Sequence, residues 1–252
     1  CQYRTAASYT PRARRYFDDA VSMIYSEINN NNHNNHRQDF DLQTWTNKTT
    51  GGLTDEDRLL LGFIYRQANS VFEYGLGEST YIANHVGVPR YVGIDSDVEW
   101  VDQTRKQVAP HFRFYYGDVG NIGDWGYPED PYLSKSRFQY QVAPLQSELL
   151  PFDVYTVDGR WRVPCVLLSF LHASARGADP QHTRVLMHDC NQPGYSPPGL
   201  EDEIGVRNYT VNDDILQLVD HSRSRLCVYK RKPGTTDDML LARYQQYSFY
   251  PG

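Results

Sequence analysis

The chain has 252 residues, enough for one large domain with a substantial hydrophobic core. Its formal charge of −6 at pH 7 and its pI near 5.7 argue against nucleic acid as a partner, because a phosphate backbone attracts basic surfaces. No apolar run reaches the roughly 18 residues that a membrane span needs. The longest run, residues 163–171, is interrupted by Pro164 and Ser169.

The N-terminal part, residues 1–53, is predicted to be a helical extension. Apolar residues recur at helical spacing over 12–28, and an Asn-rich stretch of low complexity follows at 29–37. Thr54 and Asp57 match a capping box, in which two side chains satisfy the first N–H groups of a helix. A helix is therefore predicted to begin after Thr54 and to run to residue 68.

Apolar strands and amphipathic helices alternate through the predicted main domain, residues 54–232. Such alternation predicts a parallel sheet with right-handed crossover connections. The strands are predicted at 71–75, 91–95, 111–117, 152–158 and 183–188, and the helices at 78–86, 97–108 and 162–175.

The C-terminal part departs from this alternation. Two strands, 214–220 and 226–231, flank a short polar turn and predict a hairpin. The predicted fold is an α/β Rossmann-like three-layer sandwich, with a mostly parallel seven-stranded sheet and a C-terminal antiparallel hairpin. Residues 119–150 form a long insertion, predicted to be a lid or, alternatively, a surface loop. The tail, 233–252, is expected to fold back onto the domain.

A glycine turn follows the first predicted strand. The apolar residues 71–74 run into Gly75 and Gly77 and then into a helix, and the second strand ends at Asp95. Glycines let the backbone approach a ligand closely, and a carboxylate at the end of the second strand can accept both hydroxyls of a ribose. The pattern predicts the nucleotide-binding half of a Rossmann-like fold.

The residues around this turn discriminate between nucleotides. A pyrophosphate favours a third glycine and no negative charge at the helix start, but Thr80 takes that glycine position and Glu78 lies in the turn. With Glu73 at the end of the first strand, these features favour S-adenosylmethionine, which carries an ammonium and a sulfonium and no phosphate. The alternative is a nicotinamide cofactor, which would make the chain an oxidoreductase.

Four motifs resemble class I S-adenosylmethionine-dependent methyltransferases: the turn Glu73–Thr80, Gly93-Ile-Asp95, Tyr116-Gly-Asp118 and Val157-Asp158. The turn, Asp97-x-Glu-Trp100 and residues 157–162 also resemble methyltransferase-like proteins associated with glycan modification. The resemblance covers residues 54–232. It implies methyl transfer to a hydroxyl of a small molecule or, more narrowly, of a carbohydrate.

The resemblance also implies roles for single residues. The turn would hold the methionine part of the cofactor, Asp95 would bind the ribose, and Asp118 would face the adenine amino group. Each carboxylate could instead cap a helix or belong to a surface loop. The predicted cofactor-binding residues are Glu73, Gly75, Gly77, Ser79, Thr80, Asp95, Ser96 and Asp118.

The predicted catalytic residues, Asp158, His188 and Asp189, lie at the ends of the fourth and fifth strands. The sulfonium already activates the methyl group, so the protein needs to align the acceptor and remove its proton. Asp158 and His188 are candidate bases, since an unperturbed histidine has a pKa of about 6.5. Alternatively, His188 is a strand-end histidine bonded to a neighbour.

A metal-dependent mechanism is a further alternative. Some O-methyltransferases of this fold bind Mg²⁺ through an Asp after strand four and an Asp-Asn pair after strand five, which correspond to Asp158 and Asp189. The next residue, however, is Cys190, and Asn191 is displaced by one position. A hard cation prefers oxygen ligands, so Cys190 argues against metal dependence.

Charged and aromatic residues near Asp158 suggest how an acceptor could bind. Arg160 and Arg162 could bind an acidic acceptor such as a uronate, or could pair with Asp158 instead. Four aromatic residues could stack against a sugar ring or pack in the core. They are Trp125, Tyr127, Tyr132 and Trp161.

Cysteines and sequons bear on the cellular compartment. Cys165, Cys190 and Cys227 lie in apolar sequence and are predicted to be buried thiols. Sequons at Asn47 and Asn208 would allow glycosylation in the secretory pathway, for example in the Golgi lumen, with the cytoplasm as the alternative. The sequence leaves the acceptor and the oligomeric state open, and a domain that binds without turnover is the non-enzyme alternative.

Overall fold

The computed structural model describes residues 37–43, 45, 52–123, 126–190 and 213–249. The predicted helix at 12–28, the two sequons and Trp125 lie outside these residues. Of the helices in the described ranges, none combines the length and the apolar composition that a bilayer crossing requires.

The predicted strands and helices of the main domain are present in the predicted order, with boundaries that differ from prediction by two residues or fewer; two further helices, in the insertion and in the tail, were not predicted. The predicted insertion, residues 119–150, contains a broken helix, α4, made of Ser134–Arg137, a π-helical turn Phe138–Val142 and Ala143–Ser147. The other helices are α1 (Asp55–Gln67), α2 (Glu78–Val86), α3 (Val98–Gln107), α5 (Arg162–Ala175) and α6 (Asp237–Tyr247). The strands are β1 (Ser70–Tyr74), β2 (Arg90–Asp95), β3 (Arg113–Tyr116), β4 (Val154–Val157), β5 (Arg184–Met187), β6 (Leu216–His221) and β7 (Cys227–Arg231).

The seven strands form one sheet in the order β3-β2-β1-β4-β5-β7-β6. Strands β1 to β5 are parallel, and β7 pairs antiparallel with both β5 and β6, which confirms the predicted fold class. In the register, Tyr74 is opposite both Ile94 and Val157, and Val157 is opposite Met187. The residues that follow β1, β2, β4 and β5 therefore meet at one edge of the sheet.

The sheet separates two hydrophobic cores. Val71 packs with Leu61 of α1 and Ile82 of α2 on one face, while its neighbour Phe72 belongs to the cluster with α4, α5 and α6 on the other. This alternation is the two-residue period of a strand buried on both faces. Leu240 of α6 is fully buried in the second cluster, so the tail folds back as predicted.

The capping box at the start of α1 is confirmed. The backbone N–H of Thr54 donates to Asp57 Oδ2 at 2.9 Å, and the Asp57 N–H donates to Thr54 Oγ1 at 3.3 Å. The other oxygen of Asp57 accepts from Ser222 Oγ at 2.5 Å and from the Leu226 N–H at 3.1 Å. The capping carboxylate thus also attaches α1 to the turn between β6 and β7.

Gly75 and Gly159 make the closest backbone approach at the ligand-facing edge of the sheet. Gly75 has a φ of +84°, and a Cβ there would lie 2.6 Å from the Gly159 Cα. A Cβ on Gly159 would in turn lie 1.9 Å from the Tyr140 hydroxyl. Any side chain at either position would push the turn after β1 away from the turn after β4.

The prediction that Cys190 and Cys227 are buried thiols is wrong, because the two residues form a disulfide. Register brings them together: Cys227 pairs with Met187 in the sheet, and Cys190 follows three residues after Met187. Cys165 is a buried thiol, as predicted. The disulfide fixes the segment after β5 to the start of β7.

We expect Gly75→Ala to destabilise the fold by about 3 kcal/mol or more. The left-handed backbone costs a non-glycine residue about 1–2 kcal/mol, and overpacking against Gly159 adds roughly 1–3 kcal/mol. Gly177→Ala is the matched control, since Gly177 also has a positive φ (+80°) but a Cβ there meets no atom within 4 Å. Urea unfolding measures both; equal losses would show that the contact with Gly159 is unimportant.

Reduction of the disulfide should lower the free energy of unfolding by about 3–4 kcal/mol, because the bridge closes a loop of 37 residues in the unfolded chain. Urea unfolding with and without dithiothreitol measures this loss. In the double variant Cys190→Ala, Cys227→Ala, the reductant should change nothing. Equal midpoints for the native chain in both conditions would contradict the prediction.

Candidate functional site

The predicted site residues do gather at the carboxyl ends of β1, β2, β4 and β5. Gly75 follows β1, Asp95 ends β2, Asp158 follows β4, and His188 follows β5. This is the edge at which open α/β sheets bind ligands.

Glu73 lies beneath the glycine turn rather than in the cleft. Its side chain is fully buried and accepts hydrogen bonds from Ser79 Oγ and from Thr80 Oγ1, the latter at 2.7 Å. Burial raises the pKa of Glu73 to about 8, against the opposing effect of the two hydroxyls. Glu73 is therefore largely protonated at neutral pH. Together with Ser79 and Thr80, it supports the turn from below.

Glu78 does not present its charge to the cleft either. It is buried and pairs with Arg58, whose Nε lies 2.7 Å from Glu78 Oε1, and it also accepts from Trp45 Nε1 at 3.1 Å. The sequence argument that Glu78 repels a phosphate is thereby weakened. A contact of Thr80 now provides the argument against a phosphate. The Gly77 N–H donates to Thr80 Oγ1 at 3.1 Å and is therefore not directed at a ligand phosphate.

Asp95 connects the end of β2 to the glycine turn. Its Oδ2 accepts from the Leu76 N–H at 2.8 Å, and its Oδ1 accepts from the Asp97 N–H at 3.0 Å. Burial raises the pKa of Asp95 to about 6, although the backbone donors at Asp97 and Leu76 counteract part of the rise. Asp95 is therefore ionised at neutral pH and held in one orientation, with further lone pairs for a ligand.

Trp100 is a supporting residue to which sequence reasoning assigned no role. Its indole Nε1 donates to the Leu76 carbonyl at 2.8 Å, so α3 holds the same turn residue that Asp95 holds. The sequence signal that could have identified Trp100 is the Asp97-x-Glu-Trp100 motif. Asp97 caps α3 by accepting from the Glu99 and Trp100 N–H groups, which places the indole over the turn.

An open groove of about 510 Å³ lies beside Asp95, between the start of α3 and the segment after β3. Ser96 lines it and donates to the Gly126 carbonyl at 3.2 Å. Asp118 is exposed. Its Oδ1 accepts from the Gly120 N–H at 3.1 Å, and its Oδ2 lies 3.9 Å from Lys135 Nζ. The groove is lined by Ser96, Asp97, Val98, Glu99, Tyr116, Gly120, Asn121, Ile122 and Glu129.

A network of charges occupies the ends of β4 and β5. Arg162 Nη2 donates to Asp158 Oδ1 at 3.1 Å, and Arg162 Nη1 donates to Asp189 Oδ2 at 2.8 Å. His188 Nδ1 lies 3.0 Å from the same oxygen of Asp158. Trp161 and Asp189 adopt left-handed backbone conformations, with φ of +52° and +58°. Such strain persists in a fold only where neighbouring contacts fix it, as the Arg162 bonds do here.

Asp57, named above as a capping residue, is the member of this network that sequence reasoning missed. It is fully buried, and its Oδ2 lies 3.6 Å from His188 Nε2. No local pattern distinguishes this residue from an ordinary capping acid. The imidazole of His188 therefore lies between two carboxylates, Asp57 on one side and Asp158 on the other.

The predicted role of His188 as a general base requires correction. Burial opposes its protonation, but Asp158, Asp57 and Asp189 outweigh that effect and raise the pKa of His188 to about 10. An imidazolium has no lone pair with which to accept a proton. Burial likewise opposes ionisation of Asp158, yet His188 and Arg162 lower its pKa overall. His188 thus keeps Asp158 ionised, which agrees with the alternative interpretation of His188.

The residues present do not fit Mg²⁺. Ligand atoms of Asp158, His188 and Asp189 lie within 4.8 Å of one another. However, the guanidinium of Arg162 already bonds with both carboxylates, and His188 carries a second positive charge. Cys190, at the position of the third ligand, is in a disulfide. A divalent cation would have to displace two built-in cations from this cluster.

The two arginines after Asp158 differ in their contacts. Arg162 pairs with Asp158, as the sequence alternative stated, whereas the guanidinium carbon of Arg160 lies 4.0 Å from the centre of the Tyr127 ring. Trp161 is fully buried in the core, and Tyr132 is exposed. Tyr127 is therefore the candidate stacking residue that the structure brings near Asp158.

Neither a protein-family model nor a curated protein matches this chain. Solved structures do match it. A methyltransferase-like protein from Silicibacter pomeroyi aligns over 80% of this chain and 97% of its own, with a TM-score of 0.59 and 21% sequence identity. A TehB-like SAM-dependent methyltransferase from Corynebacterium glutamicum aligns over 73% and 90%, with a TM-score of 0.41 and 16% identity. The first likeness shows that this chain has a methyltransferase-like fold.

Loss of His188 should destabilise the protein in a pH-dependent way. Folding raises its pKa from about 6.5 to about 10, so the stabilisation is complete below pH 6.5 and disappears as the pH rises through 10. His188→Gln should therefore cost roughly 3–5 kcal/mol at pH 6, because it removes the cation shared by the buried Asp57 and by Asp158, and less at pH 9.5. Urea unfolding at both values measures the difference.

The matched control is His182→Gln. His182 forms an exposed ion pair with Asp179, and exposed pairs contribute little to stability because solvent screens them. This variant should match the native chain closely at both pH values. A pH-independent loss in His188→Gln would contradict the assignment of a buried imidazolium.

Proposed function

We propose that this protein binds S-adenosylmethionine and transfers its methyl group to a hydroxyl group of an acceptor. The observation that carries the proposal is the connection between Asp95 and the glycine turn. One carboxylate, ionised at neutral pH, is fixed by the Leu76 N–H at the point where the second strand ends. That is the position from which an acidic residue binds ribose hydroxyls in this class of fold.

The shape of the turn supports a cofactor that lies flat along it. A Cβ on Gly77 would meet no atom within 4 Å, so the backbone there borders open space. A groove beside Ser96 and Asp97 extends to Tyr116 at the end of β3, where an adenine ring would lie. Residues of both regions would hold the cofactor, and the nucleoside would lie over Asp95.

A nicotinamide dinucleotide remains the alternative, and one observation disfavours it. Pyrophosphate binds to N–H groups that point out of a helix start. Here the Gly77 N–H donates to Thr80 Oγ1, and Thr80 also bonds with Glu73. Thr80, at the position of the third glycine, therefore accepts the Gly77 N–H that a phosphate would otherwise bind.

Asp158 is the residue that we assign to the acceptor. Its side chain is 29% exposed, whereas Arg162 and His188 are buried behind it. When bound, S-adenosylmethionine would supply an activated methyl group. Asp158 would accept the hydrogen bond of the acceptor hydroxyl and orient it; as the methyl–oxygen bond forms and the methyl–sulfur bond breaks, the hydroxyl proton would pass to Asp158 and from there to water. Orientation of this kind contributes effective molarities of about 10⁵–10⁸ M. Asp189 holds Arg162 and is a positioning residue in this scheme.

For the acceptor class we propose a carbohydrate, on the basis of the motif resemblance to methyltransferase-like proteins associated with glycan modification. For the compartment we propose the secretory pathway. The disulfide between Cys190 and Cys227 supports the latter, because disulfides persist mainly in oxidising compartments. The sequons at Asn47 and Asn208 agree with the same environment.

Calorimetric titration with S-adenosylmethionine, S-adenosylhomocysteine and NAD tests the proposal. We expect micromolar binding of the first two and a roughly 10- to 100-fold loss in Asp95→Asn, which keeps an acceptor for the Leu76 N–H but removes the charge. Affinity should also fall below about pH 6, where Asp95 becomes protonated.

The control variant is Asp102→Ala, which removes an exposed carboxylate of α3 outside the cleft. It should bind like the native chain. Binding of NAD alone would favour the oxidoreductase. Binding of S-adenosylhomocysteine without methyl transfer to any sugar or other hydroxyl acceptor would favour a domain that binds without turnover.

A further inference from the structure

One cation beside Asp158 has a buried nitrogen without an acceptor. Arg160 is 7% exposed, and its Nη1 is buried with no hydrogen-bond acceptor among the described residues. Buried polar atoms are almost always paired, and a guanidinium N–H is a strong donor. Other buried nitrogens, such as Arg90 Nε and Arg231 Nε, share this state, but Arg160 is the arginine of this group that follows Asp158 at the cleft, where its N–H can donate to a ligand.

Arg160 makes a different contact from Arg162, which pairs with Asp158 and Asp189. Its guanidinium packs on the ring of Tyr127, 4.0 Å from the ring centre. Tyr127 directly follows Gly126, whose carbonyl accepts from Ser96 at the end of β2. The contact between Arg160 and Tyr127 therefore links the segment after β4 to the end of β2, and β1, which the glycine turn follows, lies between these two strands.

Arg160 takes part in none of the ion pairs behind it. Three carboxylates and three cations pair there: the carboxylates are Asp57, Asp158 and Asp189, and the cations are Arg162, His188 and Arg225, the last at 3.8 Å from Asp189. Arg160 helps to lower the pKa of Asp158 but forms no ion pair with a carboxylate of the described residues. A guanidinium in this situation at a cleft suits an anionic group of a ligand.

We propose that Arg160, held flat against Tyr127, binds a ligand carboxylate beside the glycine turn. A guanidinium presents parallel N–H groups that match the two oxygens of a carboxylate. Stacking on an aromatic ring covers one face of the guanidinium and leaves its edge for the ligand. The proposal rests on the proposed function for its two sources of carboxylate, which are an acidic acceptor and the amino-acid end of the cofactor.

Acetate is the probe for this subsite, with sodium chloride at equal ionic strength as the reference. We expect acetate to raise the unfolding temperature of the native chain saturably, by about 2–4 °C. Arg160→Met should abolish the response. Arg105→Met, which removes an exposed arginine paired with Asp102, should retain it.

Tyr127→Leu provides a second test if Arg160→Met does not fold. Removal of the ring should weaken acetate binding severalfold, because the guanidinium loses the surface that orients it. Equal responses to acetate in the native chain and in both variants would overturn the proposal. So would a native chain that responds equally to acetate and chloride.

S-adenosylhomocysteine and its decarboxylated analogue distinguish the two possible sources of the carboxylate. If S-adenosylhomocysteine abolishes the acetate response but its decarboxylated analogue does not, Arg160 binds the cofactor's carboxylate. If the response survives with both, Arg160 belongs to the acceptor site and selects acidic acceptors. If both compounds abolish the acetate response, the nucleoside itself fills this space, and that result contradicts the proposal. An acetate response without any binding of S-adenosylhomocysteine would refute the proposed function and leave the carboxylate site standing.

Discussion

The charges at the ends of β4 and β5 constrain the rest of the site. Asp158 and Asp189 are brought together by the sheet register, and a buried carboxylate is costly unless a cation contacts it. Arg162 supplies one such cation through two hydrogen bonds, and protonated His188 supplies another. To place Arg162 there, the chain adopts a left-handed conformation at Trp161, so the charge network and the backbone of the turn depend on each other.

The carboxylates around the cleft have different protonation states because their surroundings differ. Glu73 is fully buried with only hydroxyl donors, and its pKa rises to about 8. Asp95 accepts backbone N–H groups at the edge of the cleft, and its pKa rises only to about 6. Asp158 has two cations against it, and its pKa falls. At neutral pH the first is a neutral support, whereas the other two are anions available to ligands.

Sequence reasoning predicted what depends on local pattern. The strands and helices follow from apolar periodicity, and the cap at Thr54 follows from the spacing of two side chains. It missed what depends on distant contacts. Asp57 bonds with Ser222, 165 residues away, and Cys190 pairs with Cys227 through the antiparallel register of β5 and β7. The pKa of His188 likewise depends on Asp57 and Asp158, which come from two distant segments, as well as on the adjacent Asp189.

Asp158 is paired with the guanidinium of Arg162 and not with a metal ion, and this difference has a chemical consequence. A divalent cation with an open coordination position can bind an acceptor oxygen directly and acidify its hydroxyl. Arg162 has hydrogen bonds from Nε, Nη1 and Nη2 to Gly159, Asp189 and Asp158, so it neutralises charge without reaching an acceptor. In the proposed reaction, activation of the acceptor must then come from its orientation against Asp158. An acceptor whose hydroxyl is already acidic, or whose own charge fixes its position, suits such a site better than a simple alcohol.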